Sequence, residues 1–563
     1  MTIGFVFEFP LGIPTVKGVI FQCSSILLSR SLAAIFILFC CGCATLPPSP
    51  NREALQLLCK AAHQPKDSTA ATGFYLAAAE NSLTLASEQS TSEQTKAEAV
   101  RIYNKAVTES ILSLTKGKVS LLAADGSTIR KGDKTYQLQI ITAGPAIRNP
   151  SGFDRLIPAE KIRWKQLKRD VQQAGIGAPF VGLQNSPKTK TTNRPPFGFA
   201  EPLTAIASFG KKSSSGERAV GISLLDPRKL NFVTLDKKIF PLRGDFTAPL
   251  AFFPKKDGIL FGFLSMIQSD RVASREGIYF TEPYDPDKIP VLFVHGLASS
   301  PHAWMEFINN LNASPEFRRH YQVWVYLYPS GTPIVVNALR LRTAIADIAE
   351  HYPLKHKIVI IGHSMGGILA RLQVSSSGDI FWNTLFGAKA QTMRAEFPDD
   401  SLIKKVLFFQ ASTHVGRVIF IATPHRGSNL ALIPIASLPS ALIRMPNALI
   451  REFNSKLKYA LKMIDPSMKS IPTSISGLSP KSPVLKAMDK LPLDVPYHSI
   501  IGNRGLDTQP LSQSSDGIVP YWSSHLEGAE SEVIVPTGHD AFKSPASVNE
   551  VLRILKLNEE HEK

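Results

Sequence analysis

The stretch Lys357-Ile-Val-Ile-Ile-Gly-His-Ser-Met-Gly-Gly-Ile-Leu369 decides the fold of this chain. Four β-branched residues, Ile358 to Ile361, predict a buried strand, and a helical run follows the glycines. Between strand and helix, Gly362 and Gly366 flank Ser364 in a G-x-S-x-G spacing. A serine on such a sharp turn has strained backbone angles, so its neighbours two residues away must be small. Because a strand and a helix flank the motif, we prefer a nucleophilic Ser364 to a chance match in a loop.

Apolar runs alternate with helical segments on both sides of this stretch. Continuous apolar runs that alternate with helices predict a parallel sheet covered on both faces, which is an α/β fold. The predicted strands are Pro290–Val294, Tyr321–Leu327, Val418–Ala422, Tyr497–Ile501 and Glu532–Val535, and the predicted helices are Pro301–Leu311, Ile334–His351 and Ser547–Leu557.

Two loops near the end of the chain supply partners for a nucleophilic serine. A serine hydroxyl needs a base to take its proton, and the base needs an acid that holds its tautomer. His539 follows the last predicted strand, and Asp516 lies in the loop after the strand before it. Both loops leave the carboxyl edge of the sheet, where Ser364 also lies. We therefore predict Asp516 as the acid and His539 as the base, with Asp507 as the alternative acid.

Five motifs together resemble the α/β-hydrolases of the lipase and esterase type. They are Val294-His295-Gly296-Leu297, Gly362-His-Ser-Met-Gly-Gly367, Ala422-Thr-Pro-His-Arg-Gly-Ser428, Ser515-Asp-Gly-Ile-Val-Pro520 and Gly538-His539. Within that fold the chain is most similar to bacterial triacylglycerol lipases and to the serine esterases related to the deacylase of glycosylphosphatidylinositol anchors. The resemblance covers roughly the last half of the chain.

We expect a cofactor-independent site with no metal ligand among its residues, and a structural calcium elsewhere stays an open alternative. In the fold that the chain resembles, the order along the chain is serine, acid, histidine, which matches Ser364, Asp516 and His539. The backbone N–H groups of Leu297 and Met365 are expected to form an oxyanion hole, and Gly296 lets the first of these loops approach. Among the other histidines, His363 is interpreted as the variable residue of the turn, and His425 as part of a loop that shapes the pocket.

An apolar insertion follows the predicted strand Val418–Ala422. Residues about 429–493 include Leu430-Ala-Leu-Ile-Pro-Ile-Ala-Ser-Leu438, and we predict a helical cap over an acyl pocket. The alternative is a segment that only completes the core. The hydrolase domain is predicted over 286–563.

The N-terminal half contains three further predicted regions. An apolar run after Arg30 ends in a group of cysteines and predicts a lipoprotein-type signal segment over 1–43. Cys43, preceded by Gly42, is the predicted lipidated residue, with Cys41 as the alternative. Residues 44–116 are predicted to be helical, and 117–285 to form a β-rich or mixed auxiliary domain. That auxiliary part docks a partner, shapes the substrate entrance, or supplies the first strands of the hydrolase sheet.

The net charge and the predicted signal segment indicate which partners and which cellular location to expect. The formal net charge is +17, and the chain has no basic motif interleaved with aromatics, no zinc-finger spacing and no P-loop. We therefore expect an anionic lipid surface, not nucleic acid, as the charged partner. The expected location is the cell envelope, as a membrane-anchored lipoprotein of the outer membrane or periplasm.

The predicted function is a serine hydrolase that cleaves carboxylic esters, with acyl or lipid esters as substrates. An acyltransferase that uses the same acyl-enzyme is the alternative within enzymes. A non-catalytic, membrane-anchored scaffold with a hydrolase fold is the alternative outside them.

Overall fold

A computed structural model describes most of the chain. The predicted signal segment with Cys43, residues 429–473 of the predicted cap, and Asp507 lie outside the described residues. The described residues are 49–65, 68–115, 120–132, 134–162, 167–186, 193, 195, 198–214, 216–252, 275–428, 474–505 and 510–562.

Three helices open the described chain, as the recurring alanines and leucines predict. They are α1 (Arg52–Ala62), α2 (Thr69–Ser87) and α3 (Glu93–Leu114). Serine side chains cap two of them, since the hydroxyl of Ser68 accepts the Ala71 N–H and that of Ser92 accepts the Thr95 N–H.

A mostly antiparallel sheet follows the helices and shares one apolar core with them. Its six strands lie in the order β1-β2-β7-β6-β5-β3, and only β2 and β7 pair in parallel. Tyr103 on α3 joins helix to sheet, because its hydroxyl donates to the Ala207 carbonyl and accepts the Ala207 N–H. The strands of this part of the chain are β1 (Thr128–Lys131), β2 (Lys134–Ile141), β3 (Arg155–Pro158), β4 (Gln172–Gln173), β5 (Ala178–Gln184), β6 (Phe199–Lys212), β7 (Glu217–Leu225), β8 (Phe232–Leu235), β9 (Lys238–Pro241) and β10 (Gly244–Asp245).

A seven-stranded sheet forms the second half of the molecule. Its strands are β11 (Gly277–Phe280), β12 (Ile289–Val294), β13 (Tyr321–Leu327), β14 (Ile358–His363), β15 (Val415–Ile421), β16 (Tyr497–Gly502) and β17 (Ser531–Val535). They lie in the order β11-β13-β12-β14-β15-β16-β17, and every pair except β11 with β13 is parallel. The predicted mostly parallel α/β sheet is confirmed.

Helices cover both faces of this sheet. Alternate strand residues point to opposite faces, so Leu292 and Ile360 enter one core while Phe293 and Ile361 enter the other. The helices are α4 (Met305–Leu311), α5 (Pro315–His320), α6 (Ile334–His351), α7 (Met365–Arg371), α8 (Ile380–Phe386), α9 (Ala390–Glu396), α10 (Leu402–Leu407), α11 (Ser474–Gly477), α12 (Pro483–Met488), α13 (Tyr521–Ser524) and α14 (Pro545–Glu562). The first core is covered mainly by α6, α7, α8, α10 and α12, and the second by α4 and α14.

The first strand of this sheet comes from the predicted auxiliary region. β11 ends at Phe280, before the predicted boundary at 286, and pairs with β13 through Phe280 and Trp324, whose rings stack at 4.5 Å. Of the three roles considered for that region, the structure therefore includes the supply of an edge strand. The described part of the predicted cap packs in the first core, where Leu478 and Leu485 are buried.

The two halves meet near the amino ends of β12 and β13. Arg228 pairs with Glu282, and Lys229 lies 2.8 Å from Asp285. The guanidinium of Arg318 stacks 3.8 Å from the ring centroid of Phe246. These contacts lie at the end of the sheet opposite to Ser364. Among the described residues, every helix is too short or too polar to span a bilayer.

Candidate active site

Ser364 lies on a strained turn between β14 and α7. Its φ is 55° and its ψ is −126°, a backbone conformation that non-glycine residues rarely adopt. Two main-chain hydrogen bonds hold the turn: Ser364 N–H donates to the Ile421 carbonyl, and Gly367 N–H donates to the Ser364 carbonyl, both at 2.9 Å. The turn presents a serine that is 7% exposed at the carboxyl edge of the sheet.

Close backbone approach explains the two glycines of the motif. A Cβ atom on Gly362 would lie 2.6 Å from the Gly367 Cα, and one on Gly366 would lie 2.2 Å from the Val294 carbonyl oxygen. Neither position accepts a side chain without movement of the backbone. The predicted need for small neighbours of Ser364 therefore has a steric cause.

The structure brings the three predicted side chains together. His539 Nε2 lies 2.9 Å from Ser364 Oγ, and His539 Nδ1 lies 2.8 Å from Asp516 Oδ2. A carboxylate only accepts, so Nδ1 carries the proton and Nε2 is free to accept the serine proton. This chain of two hydrogen bonds joins loops that are 175 and 23 residues apart in sequence.

Asp516 is held by its own loop. Its other oxygen, Oδ1, accepts the N–H groups of Ile518 at 2.8 Å and Val519 at 2.7 Å, and the residue is 1% exposed. The neighbouring carboxylate, Asp540, instead pairs with Lys543 at 3.2 Å. Asp516 is therefore the carboxylate aimed at the histidine.

Two backbone N–H groups beside Ser364 have no acceptor within the described part of the chain. They belong to Leu297, after β12, and Met365, at the start of α7. The two loops are close, because a Cβ on Gly296 would lie 3.0 Å from the Ser364 Cβ. Unpaired amides near a nucleophile are available to an anionic oxygen.

The comparison with known families agrees with this geometry. Residues 291–551 match a family model described as the alpha/beta hydrolase family. These residues form an alpha/beta-hydrolase domain. No curated protein matches the chain.

Solved structures similar to the hydrolase domain include three bacterial enzymes. The mature lipase BlEst2 of Bacillus licheniformis is 17% identical, covers 49% of this chain and 97% of its own, and has a TM-score of 0.30. Phospholipase PlaB of Legionella pneumophila is 18% identical over 42% of this chain and 45% of its own, with a TM-score of 0.26. A carboxyl esterase of Bacillus coagulans in complex with glycerol is 15% identical, covers 49% of this chain and 90% of its own, and has a TM-score of 0.26. At these TM-scores, none of the three bears on the substrate of this hydrolase domain.

His363 has a contact that sequence reasoning missed. From the sequence, His363 is interpreted only as the variable residue of the turn. In the structure its ring reaches the loop of His539, and its Nε2 lies 2.7 Å from the His539 carbonyl oxygen. The partner lies 176 residues away, so no local pattern predicts the contact.

Two other histidines of the hydrolase domain are packed in its interior. His295 stacks on Tyr328 at 4.3 Å, and burial lowers its pKa to about 4. His425 is fully buried with its ring edge-on to Phe420 at 4.7 Å, and burial followed by the charge of Arg371 lowers its pKa. Among the described residues, no group of three or more histidine, cysteine or acidic side chains is arranged to hold a metal ion.

Proposed function

We propose that this chain is a serine hydrolase that cleaves carboxylic esters through an acyl-enzyme on Ser364. The observation that carries the proposal is the hydrogen-bond chain from Ser364 Oγ through the His539 ring to Asp516, at 2.9 and 2.8 Å. A serine aligned in this way becomes a nucleophile when the imidazole accepts its proton.

In the first half of the reaction, Ser364 Oγ bonds to the ester carbonyl carbon while its proton moves to His539 Nε2. Asp516 stabilises the imidazolium and keeps the proton on Nδ1. The electron pair of the carbonyl moves to its oxygen, which accepts the N–H groups of Leu297 and Met365. His539 then gives its proton to the leaving alkoxide, so an alcohol departs and an acyl-enzyme remains.

In the second half, water replaces the alcohol. His539 Nε2 accepts one water proton as the hydroxide bonds to the acyl carbon, and the same two amides receive the oxyanion. Return of the proton to Ser364 Oγ releases the carboxylic acid. The enzyme ends in its starting state, and no cofactor enters this scheme.

We further propose that the acyl group is apolar. The support is the sequence of the predicted cap, whose run Leu430-Ala-Leu-Ile-Pro-Ile-Ala-Ser-Leu438 is suited to cover an acyl chain. Nitrophenyl esters of increasing acyl length measure this preference. A rate constant kcat/KM that rises from acetyl to medium or long chains agrees with a lipid-like substrate, and one that falls steadily contradicts it.

A fluorophosphonate probe together with a nitrophenyl ester tests the reaction itself. Wild-type protein should be labelled and should hydrolyse the ester, whereas the folded Ser364→Ala variant should do neither. Product analysis with a competing alcohol distinguishes hydrolysis from acyl transfer. Folded wild-type protein that shows neither labelling nor turnover would refute the proposal and favour a scaffold.

We also propose that the protein is exported and anchored in the cell envelope through a lipid on Cys43, on the strength of the pattern in residues 1–43. Mass spectrometry of protein from the membrane fraction should find a mature terminus that begins at lipidated Cys43. The variants Cys43→Ser and Cys41→Ser form a matched pair, of which only the first should lose the lipid. An intact, unmodified N-terminus contradicts this proposal.

A further inference from the structure

The ring of His363 lies between the nucleophile turn and the loop of the histidine base. Its Nε2 is 2.7 Å from the main-chain carbonyl oxygen of His539. A carbonyl oxygen has no proton to give, so His363 is the donor and carries its proton on Nε2. The contact therefore specifies both the direction of the hydrogen bond and the tautomer of the ring.

This hydrogen bond closes a ring with the one between His539 and Ser364. One link runs from Ser364 Oγ to the His539 imidazole, and the other from the His539 carbonyl to the His363 imidazole. His363 and Ser364 are consecutive in sequence. The base is thus attached to the turn at two points, one through its side chain and one through its main chain.

Packing holds the His363 ring in place. Phe542 meets it edge-on with the ring centroids 4.7 Å apart, and Trp304 approaches in the same manner at 6.3 Å. The His539 ring lies 4.9 Å away at an angle of 49°. Aromatic neighbours on several sides restrict the ring to one orientation.

We infer that His363 is a positioning residue, which fixes the main chain of His539 so that Nε2 of the base stays within hydrogen-bond reach of Ser364. The inference rests on the proposed function, because the position of His539 matters for rate only if His539 is the base. A displacement of about 1 Å in an active site lowers a rate by roughly 10²-fold.

The His363 ring stays neutral when the His539 ring is charged. Burial, followed by the like charge of His539, lowers the pKa of His363 to about 3, although the carboxylates of Asp516 and Asp540 act in the opposite direction. His363 therefore adds no second cation beside the imidazolium that His539 becomes during catalysis.

Two amide substitutions isolate the hydrogen bond. In His363→Gln the side-chain amide N–H reaches the position of the imidazole Nε2, whereas in His363→Asn it is too short. We expect His363→Asn to lower kcat by about 10²-fold with KM nearly unchanged, and His363→Gln to keep most of the wild-type kcat. The rate of fluorophosphonate labelling should follow kcat.

An exposed histidine supplies the matched control. His351 Nδ1 also lies 2.6 Å from a main-chain carbonyl, that of Asp347, but it is at the exposed end of α6, before the amino end of β14 and so at the sheet edge opposite to Ser364. His351→Asn should leave kcat unchanged. Wild-type activity in both His363 variants overturns the inference. An equal loss of activity in both also overturns it, since the loss of ring packing alone then explains the result.

Nitrogen NMR of the wild-type rings gives a second test that needs no variant. His363 should carry a proton on Nε2 and none on Nδ1 throughout pH 5 to 8, and the opposite tautomer overturns the inference. Wild-type protein without esterase activity refutes the proposed function instead, so the two failures are distinguishable.

Discussion

Two buried polar clusters lie at opposite ends of the hydrolase sheet and differ in how fully their groups are paired. The interface cluster, at the amino end, joins the two halves of the molecule and consists of Arg148, Glu201, Asp226, Arg228, Glu282 and Lys288. The active-site cluster, at the carboxyl edge, consists of Ser364, Asp516, His539 and the amides of Leu297 and Met365.

In the interface cluster every charge has an opposite partner. The cluster contains three carboxylates and three cations, and one of the cations, Arg228, contacts all three carboxylates. Burial by itself raises the pKa of Asp226, but the charge and hydrogen bonds of Arg228 together with the charge of Lys288 outweigh burial and hold that pKa at about 2. For Glu201 burial is the stronger influence and raises the pKa. Pairing of this kind holds two surfaces together and leaves no group free for a ligand.

In the active-site cluster, by contrast, some hydrogen-bond donors have no acceptor among the described residues. The amides of Leu297 and Met365 have no acceptor among the described residues, and Ser364 has strained dihedral angles. Unpaired donors and strain cost stability, and they persist where a substrate supplies the missing partner. The contrast indicates that the amino end of the sheet serves stability and the carboxyl edge serves chemistry, which the following variants test.

Ser364→Ala should have the largest effect. Removal of the nucleophile is expected to lower kcat by on the order of 10⁶-fold, while the melting temperature stays the same or rises. Steady-state hydrolysis and thermal unfolding measure the two quantities. A variant that retains more than a small part of the activity contradicts the assignment of the nucleophile.

Asp516→Asn should lower kcat by about 10⁴-fold, because an amide at this position selects the wrong tautomer of His539. The matched control is Asp540→Asn, whose carboxylate is 55% exposed and pairs with Lys543. Ester hydrolysis over a pH series compares the two variants. Similar losses in both would show that the acid has been assigned to the wrong residue.

Arg228→Met tests the interface cluster. It leaves the buried carboxylates of Glu201 and Asp226 without their shared cation, which is expected to cost about 3–5 kcal/mol in the free energy of unfolding. The kcat of the folded protein should not change, because the cluster lies at the opposite end of the sheet. Urea titration followed by tryptophan fluorescence, together with kcat below the transition, tests both statements.

Acid should weaken the interface cluster through Asp226. Its pKa of about 2 in the folded protein is below the value of an unfolded aspartate, so its contribution is present above about pH 4 and is lost as the pH falls towards 2. The expected loss is on the order of 2 kcal/mol. The raised pKa of Glu201 acts in the opposite direction over its own titration range.

The measurement is the urea midpoint between pH 5 and pH 2.5 for wild type and Asp226→Asn. The wild type should lose stability more steeply with acid than the variant. Identical slopes would show that Asp226 does not carry the dependence.

Lys229→Met should have the smallest effect. Lys229 lies 2.8 Å from Asp285 across the same interface, but its side chain is 47% exposed. Exposed ion pairs contribute about 0–1 kcal/mol, so the urea midpoint should move little. A loss as large as that of Arg228→Met would show that contact across the interface, and not burial of charge, determines its strength.

The positions of most strands in the hydrolase sheet were predictable, because a parallel strand that is buried on both faces consists of an uninterrupted run of apolar residues. β13 and α6 have the predicted bounds, and β15 begins three residues before its predicted start. β11 escaped prediction because Gly277–Phe280 is a four-residue antiparallel edge strand without such a run. The short helices α8, α9 and α10 lie in a stretch of mixed apolar and charged residues that has no clear period.

The candidate site was predictable where chemistry restricts residue type and position at the end of a strand. Ser364, Asp516 and His539 each stand directly after a strand or in the loop that follows one, and parallel strands bring those loops to one edge. His363 was not predictable, since its partner is a main-chain carbonyl that any residue supplies.

By itself, the sequence determined the parallel sheet and the residues suited to nucleophilic chemistry, because apolar periodicity and the G-x-S-x-G spacing between a strand and a helix are local properties. Only the tertiary structure decided which charges meet across the interface and which histidine hydrogen-bonds to the main chain of His539. Arg228 and Glu282 are 54 residues apart, and His363 and His539 are 176 apart. Contacts over such separations depend on how the packed elements place side chains, and no local pattern in the sequence encodes them.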